Sequence, residues 1–173
     1  MADDGIGRFA TGELIFREGD PGTFACLLRT GLVELYRPQD GGGKVPIGTV
    51  KPGQIFGELA LFDGGPRMAA ARALTEVEVH RIDRATFVAE LDQLDEPTRD
   101  GMHALLKFVR ETMPHTPGDA HGAGAADAAR IADMHQFLRG EAFGHTLATT
   151  KNDFARTLGK LLVYYASRRL PPE

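Results

Sequence analysis

From Arg8 to Ile82 the apolar positions come in short runs broken by turn residues, the pattern of strands rather than of helices. Leu14-Ile15-Phe16 is apolar and stops at the turn cluster Glu18-Gly19-Asp20-Pro21-Gly22. Phe24, Cys26 and Leu28 alternate, with Leu27 interrupting the period. Thr30-Gly31 turns into Leu32-Val33-Glu34-Leu35-Tyr36, Asp40-Gly41-Gly42-Gly43 reads as a hairpin tip, and Val45 and Ile47 follow. Lys51-Pro52-Gly53 is another turn, and Glu76-Val77-Glu78-Val79-His80 alternates cleanly. Short strands at this spacing predict an antiparallel sandwich or barrel.

Beyond Ile82 the period changes to that of helices. Thr86–Leu94 is expected to be a short helix with Phe87, Val88 and Leu91 inward. A second begins at Asp95-Glu96-Pro97, with acidic residues at its positive end and Met102, Leu105, Leu106, Val109 and Met113 on one face beside Phe108. Pro114–Gly124, with two prolines and three glycines, reads as a linker. Asp127–Arg139 is expected to be helical through Ile131, Met134, His135 and Leu138. Asp153–Arg169 carries a fuller stripe of Phe154, Leu158, Leu161, Leu162 and Tyr165. No internal repeat is visible.

Between the strand-like and helix-like halves, Phe56–Ala73 reads FGELALFDGGPRMAAARA. Gly57 makes a tight turn into Glu58-Leu59-Ala60-Leu61, and Gly64-Gly65-Pro66 turns into Arg67. Unpaired N–H groups at a helix start attract an anion, and an arginine fork fits phosphate oxygens. Glu58 accepts hydrogen bonds and suits a sugar hydroxyl. A phosphate partner and a hydroxyl acceptor nine positions apart describe a sugar-phosphate site.

These residues closely resemble the phosphate-binding cassette of cyclic nucleotide-binding domains, the modules of protein kinase A regulatory subunits, cyclic-nucleotide-gated channels and the catabolite activator protein. The family pattern, FGE-(L/I)-(A/S)-L, a variable turn and then PR-A-A-T-V, is matched by Gly57, Glu58, Leu59, Ala60, Leu61, Pro66 and Arg67. The stretch ATGELIFREGD, Leu27-Leu28, Gly31-Leu32-Val33 and Asp83–Phe87 are also similar, so the resemblance runs from about residue 8 to about residue 113. It implies a mainly β fold, an eight-stranded antiparallel β roll (jelly roll) with flanking helices and here a C-terminal helical extension. The helices that usually precede the roll are expected to be reduced or missing. Residues 1–113 are expected to form the nucleotide-binding domain with its lid helix, 114–126 a linker and 127–173 the extension.

The resemblance also implies roles. Glu58 takes the ribose 2′-OH, and Arg67 pairs with the cyclic phosphate. Backbone groups of Gly57, Leu59, Ala60 and Met68 help, with Ala69 beside them. Met102, Leu105 and Phe108 are the candidate cap over the base, although each of them reads more readily as helix–roll core or a dimer seam. Ala70 stands where many members carry Thr or Ser, and Met68 where cGMP-preferring members often do. The absent hydroxyls tilt the ligand toward cAMP rather than cGMP. The expected protein is a cyclic nucleotide sensor that shifts its C-terminal helices on binding. The alternatives are a ligand-free interaction module and, behind it, a DNA-binding regulator.

Composition narrows this further. A net charge of −4 argues against a general nucleic-acid binder. The segment around Lys151, Arg156, Lys160, Arg168 and Arg169 carries a local excess of three positive charges, read here as the solvated face of a packed helix that serves a protein partner, a homodimer or intramolecular docking rather than as a DNA-reading or membrane-surface helix. No apolar run is long enough to cross a membrane, no secretory leader is seen, and the single cysteine excludes an internal disulfide, so a cytoplasmic location is expected. Cys26 alternates with apolar neighbours and is expected to be a buried small hydrophobe. The six histidines form no HxH or HExxH arrangement and the only serine is Ser167, so no metal and no enzymatic activity are expected.

Overall fold

The computed structural model describes residues 5–112 and 125–167. The chain forms two compact units, residues 1–89 and 90–173. The first holds eight strands: β1 (Ile6–Phe9), β2 (Leu14–Phe16), β3 (Phe24–Thr30), β4 (Val33–Pro38), β5 (Lys44–Val50), β6 (Ile55–Phe56), β7 (Ala70–Ala73) and β8 (Val77–Asp83). They make two four-stranded sheets, in the orders β1-β8-β3-β6 and β2-β7-β4-β5, with every pairing antiparallel. The expected eight-stranded antiparallel roll is therefore present.

Alternation builds the core. Cys26, Leu28, Val77 and Val79 of one sheet and Val33, Leu35, Ala71 and Ala73 of the other share one buried cluster with Phe16 and Phe56. Ala71 and Ala73 are small because β7 lies between β2 and β4, where larger side chains on this face would overfill the interior. A five-residue helix, α1 (Leu59–Asp63), sits between β6 and β7 and ends at Gly64 in the left-handed region.

Helix α2 (Arg84–Asp92) follows β8 directly, and Asp83 Oδ1 accepts the Thr86 N–H at 2.7 Å as a cap. Phe87 and Leu91 are buried as expected, but Val88 is 41% exposed and does not face inward. Phe87 and Leu91, four residues apart, define the buried face, and Val88 lies one position off it.

The second unit contains α3 (Glu96–Thr112), α4 (Ala125–Arg139), α5 (Glu141–Thr149) and α6 (Asp153–Ser167). Asp95 caps α3 by accepting from the Thr98 hydroxyl at 2.8 Å and the Thr98 N–H at 3.2 Å. Met102, Leu105, Leu106, Phe108 and Val109 form its buried face, and Leu158, Leu161 and Leu162 that of α6. On α4, Met134 is buried, while His135 and Leu138 are half-buried. Met113, the Pro114–Gly124 segment, Arg168 and Arg169 lie outside the described residues, as do the Ile131 and Tyr165 side chains.

Helix α5 was not expected from the pattern. Phe143 lies 5.0 Å from the Phe137 ring, centroid to centroid, and against Gly101, and Leu147 lies against Gly159. Two glycines on neighbouring helices make the room, so this short helix depends on tertiary packing rather than on a strong stripe. No helix among the described residues is long and apolar enough to cross a membrane.

Candidate functional site

The site is built where β6 leaves its sheet. Gly57 follows Phe56 with φ +75°, a left-handed conformation that L side chains rarely adopt. A Cβ there would stand 2.7 Å from Arg67 Nη1 and 3.2 Å from the Phe16 ring. The turn therefore needs glycine both for its backbone and for the arginine that crosses it.

Arg67 is buried in a slot lined by two aromatic rings, its Cζ 4.1 Å from the Phe16 centroid and 4.8 Å from that of Phe24. A planar, weakly hydrated guanidinium suits such a slot. Its terminal nitrogens donate to backbone carbonyls, Nη1 to Gly57 and Nη2 to Phe24, each at 2.6 Å. Its Nε is buried and has no hydrogen-bond partner among the described residues. The backbone is held too: the Arg67 N–H donates to the Asp20 carbonyl at 2.8 Å, and the Gly19 N–H donates to the Arg67 carbonyl at 2.9 Å. The turn between β2 and β3 thus clamps the arginine from the sheet side. At Gly22 in that turn, an added Cβ would lie 2.1 Å from Ala60 Cβ, so the turn touches α1 as closely as backbone allows.

Glu58 is 2% exposed, and its Oε1 has no hydrogen-bond partner among the described residues. Burial pushes its carboxyl up to about 7, against the opposing pull of its own backbone N–H and of Arg67. Burial also lowers the Arg67 guanidinium, with Cys26, Glu58 and Asp20 acting the other way. The two do not form an ion pair, so the pair is not explained as a structural salt bridge. Leu59 and Ala60, both buried, open α1, and N–H groups in a first turn have no carbonyl inside the helix to bond. Met68 and Ala69 are half-buried on the way into β7.

The structure thus brings Gly57, Glu58, Leu59, Ala60, Arg67, Met68 and Ala69 into one region of the first unit. Met102, Leu105 and Phe108 are buried in the second unit, where Met102 Cε reaches the position a Cβ on Gly159 would crowd at 3.0 Å. Phe16, Phe24, Asp20, Gly22 and Arg37 are parts of the site that the sequence reading did not pick out. Arg37 is buried and donates from Nε to the Met68 carbonyl at 3.1 Å. An arginine continuing the inward alternation of Val33 and Leu35 was the available signal for it. Cys26 is buried and its thiol is pushed up to about 12, chiefly by burial, which makes it an inert packing residue. Among the described residues no group of three or more metal-ligating side chains comes together.

A buried acceptor and a buried donor, each unpaired and both inside a glycine turn, fit a ligand that brings a hydroxyl and an anionic oxygen. The model of the cyclic nucleotide-binding domain matches residues 6–93. The chain is 44% identical over 80 residues to a cAMP-dependent protein kinase regulatory subunit of Emericella nidulans, a match covering 46% of this chain and 19% of that one. It is 26% identical over 155 residues to a CRP-like cAMP-activated global transcriptional regulator of Mycobacterium tuberculosis, covering 87% of this chain and 69% of that one. Among solved structures it is similar to an EAL enzyme in its cGMP-bound form, with TM-score 0.58 and 26% identity over 76% of this chain and 32% of the other.

Proposed function

Since this chain belongs to the cyclic nucleotide-binding domain family, we propose that its roll binds a cyclic nucleotide, cAMP in preference to cGMP, as a regulatory module without catalysis of its own. The observation that carries the reading is the unpaired Glu58 Oε1 buried in the same cassette as Arg67. Glu58 accepts from the ribose 2′-OH. Arg67 takes a phosphate oxygen, and its unpartnered Nε and the second hydrogens of Nη1 and Nη2 can do so without releasing the Gly57 or Phe24 carbonyl. N–H groups around Gly57, Leu59, Ala60 and Met68 complete the anion's shell, with Ala69 alongside. Met102, Leu105 and Phe108, buried within the second unit, are read as helix core in preference to a cap over the base. The names of the relatives, a cAMP-dependent kinase subunit and a cAMP-activated regulator, support the ligand class. A calorimetric titration with cAMP and cGMP tests it directly. Silence with both nucleotides would replace it with a ligand-free interaction module.

The cAMP preference rests on Met68 and Ala70, which offer no hydroxyl to the guanine amino group. In a competition assay cAMP is expected to displace cGMP at lower concentration, and parity or the reverse order would refute the preference. Met68→Thr is expected to narrow the gap by about 1 kcal/mol if its hydroxyl bonds the guanine amino group.

The domain division is part of the proposal: residues 1–113 bind the nucleotide, 114–126 link, and 127–173 form a helical extension that engages a protein partner or a second copy. A ligand moves such helices only through a difference in its affinity for their two arrangements. Truncation after Gly118 is therefore expected to leave the roll folded and to change either the mass in solution or the cAMP titration. A truncated protein unchanged in both would remove the regulatory role from the extension. A shift of duplex DNA would instead reopen the DNA-binding alternative.

A further inference from the structure

We propose that Glu58 gives up a proton when a cyclic nucleotide enters the site, so that ligand affinity rises with pH across the neutral range. This rests on the ribose-hydroxyl role assigned to Glu58 and adds a proton linkage to it.

The geometry leaves one oxygen of the carboxyl unpartnered. Its Oε1 is buried without a hydrogen-bond donor, and the terminal nitrogens of Arg67 donate to the carbonyls of Gly57 and Phe24 rather than to it. The surrounding elements offer no substitute. From β3 comes Cys26, whose thiol burial holds neutral. From the turn between β2 and β3 comes Asp20, whose Oδ2 is occupied by the Arg17 N–H at 2.8 Å. Arg84 of α2 lies against Gly64, at the far end of α1, and Arg81 of β8 sits over the Phe24 ring at 5.1 Å. None of these groups donates to Oε1.

A buried carboxyl whose Oε1 has no donor, and which is otherwise held only by its own backbone N–H and the field of Arg67, keeps its proton to unusually high pH, and here the value is pushed up to about 7. A ribose hydroxyl donating to Oε1 stabilises the carboxylate and brings that value down. The free protein then holds more protons than the complex near neutrality. Affinity is accordingly lost as pH falls below about 7 and levels off above it. Neither the cyclic phosphate nor adenine titrates in this range.

Titration of the full chain with cAMP is expected to give a dissociation constant about tenfold weaker at pH 6 than at pH 8. Repeating the pH 6 titration in two buffers of different ionisation heat is expected to show close to one proton released per nucleotide bound. With 2′-deoxy-cAMP, which lacks the donor, the change between the two pH values is expected to shrink below about threefold. Glu58→Gln, weaker at every pH, is expected to be flat. An unchanged affinity for cAMP from pH 8 to pH 6 overturns the linkage while leaving the nucleotide site standing. So does a full slope retained by 2′-deoxy-cAMP, an arm that decides the matter even if Glu58→Gln does not fold. Absence of cAMP and cGMP binding at pH 8 overturns the site and the linkage together.

Discussion

Arg67→Gln is expected to weaken cAMP binding by about one to two orders of magnitude. A hydrogen bond to a charged group contributes roughly 1.5–3 kcal/mol, and about 1.4 kcal/mol is a tenfold change. The structure adds a second consequence. Arg67 holds the Gly57 and Phe24 carbonyls and fills the slot between the Phe16 and Phe24 rings. Glutamine is shorter, has one donor group and cannot span both carbonyls, so at least one buried acceptor loses its partner. Urea denaturation is expected to show a loss of about 1–3 kcal/mol. The circular dichroism spectrum is expected to stay native, because the two sheets keep their pairings. Arg67→Lys is expected to recover only part of the affinity, since a point charge neither forks nor stacks as a guanidinium does. A folded Arg67→Gln protein that binds cAMP as the wild type does would refute the cassette assignment.

Gly22→Ala is expected to be among the most damaging single-methyl changes in the first unit. The new Cβ would lie 2.1 Å from Ala60 Cβ and 3.1 Å from the Ala60 backbone, far inside contact distance. The obstacle is backbone and a methyl on α1, not the flexible end of a long side chain, so the turn and helix must separate. Overpacking of this kind costs typically about 1–3 kcal/mol. The separation acts on binding as well, because Asp20 and Gly19 in the same turn hold the Arg67 backbone. A lower denaturation midpoint together with weaker cAMP binding is expected. Ala60→Gly in the Gly22→Ala background is expected to restore binding by vacating the space, a rescue that a general folding defect would not show. Gly12→Ala is the control for glycine loss elsewhere: no atom lies within 4 Å of its added Cβ, although its φ of +86° carries backbone strain.

The pattern along the chain was sufficient for an antiparallel sandwich or barrel because strand alternation is local, and the resemblance of the cassette narrowed it to the eight-stranded roll. Val77, Val79, Val33 and Leu35 point into one core whatever their partners, and Asp40–Gly43 closes a hairpin from its own composition. Helices α3 and α6 were legible for the same reason, through long stripes at helical spacing. Helix α5 was not, since its burial depends on space that Gly101 and Gly159 leave on other helices. Val88 was misplaced because an apolar residue next to a buried face looks inward until the helix phase is set by its neighbours.

In the site, the order Gly57, Glu58, Pro66, Arg67 was written in the chain, and the residue types alone determined that it could meet a sugar and a phosphate. What the sequence could not determine was what each group does before a ligand arrives. That Arg67 donates to two carbonyls, one of them in β3 and 43 positions away, depends on the pairing of β3 with β6 and on the approach of the β2–β3 turn to α1. That Glu58 Oε1 is buried without a donor depends on the same closure, because desolvation is a property of everything packed around a carboxyl rather than of the carboxyl itself. Local pattern therefore determined the elements and the chemistry on offer. Tertiary packing decided which donors are already used, which acceptor is left unpaired, and at what pH it holds its proton.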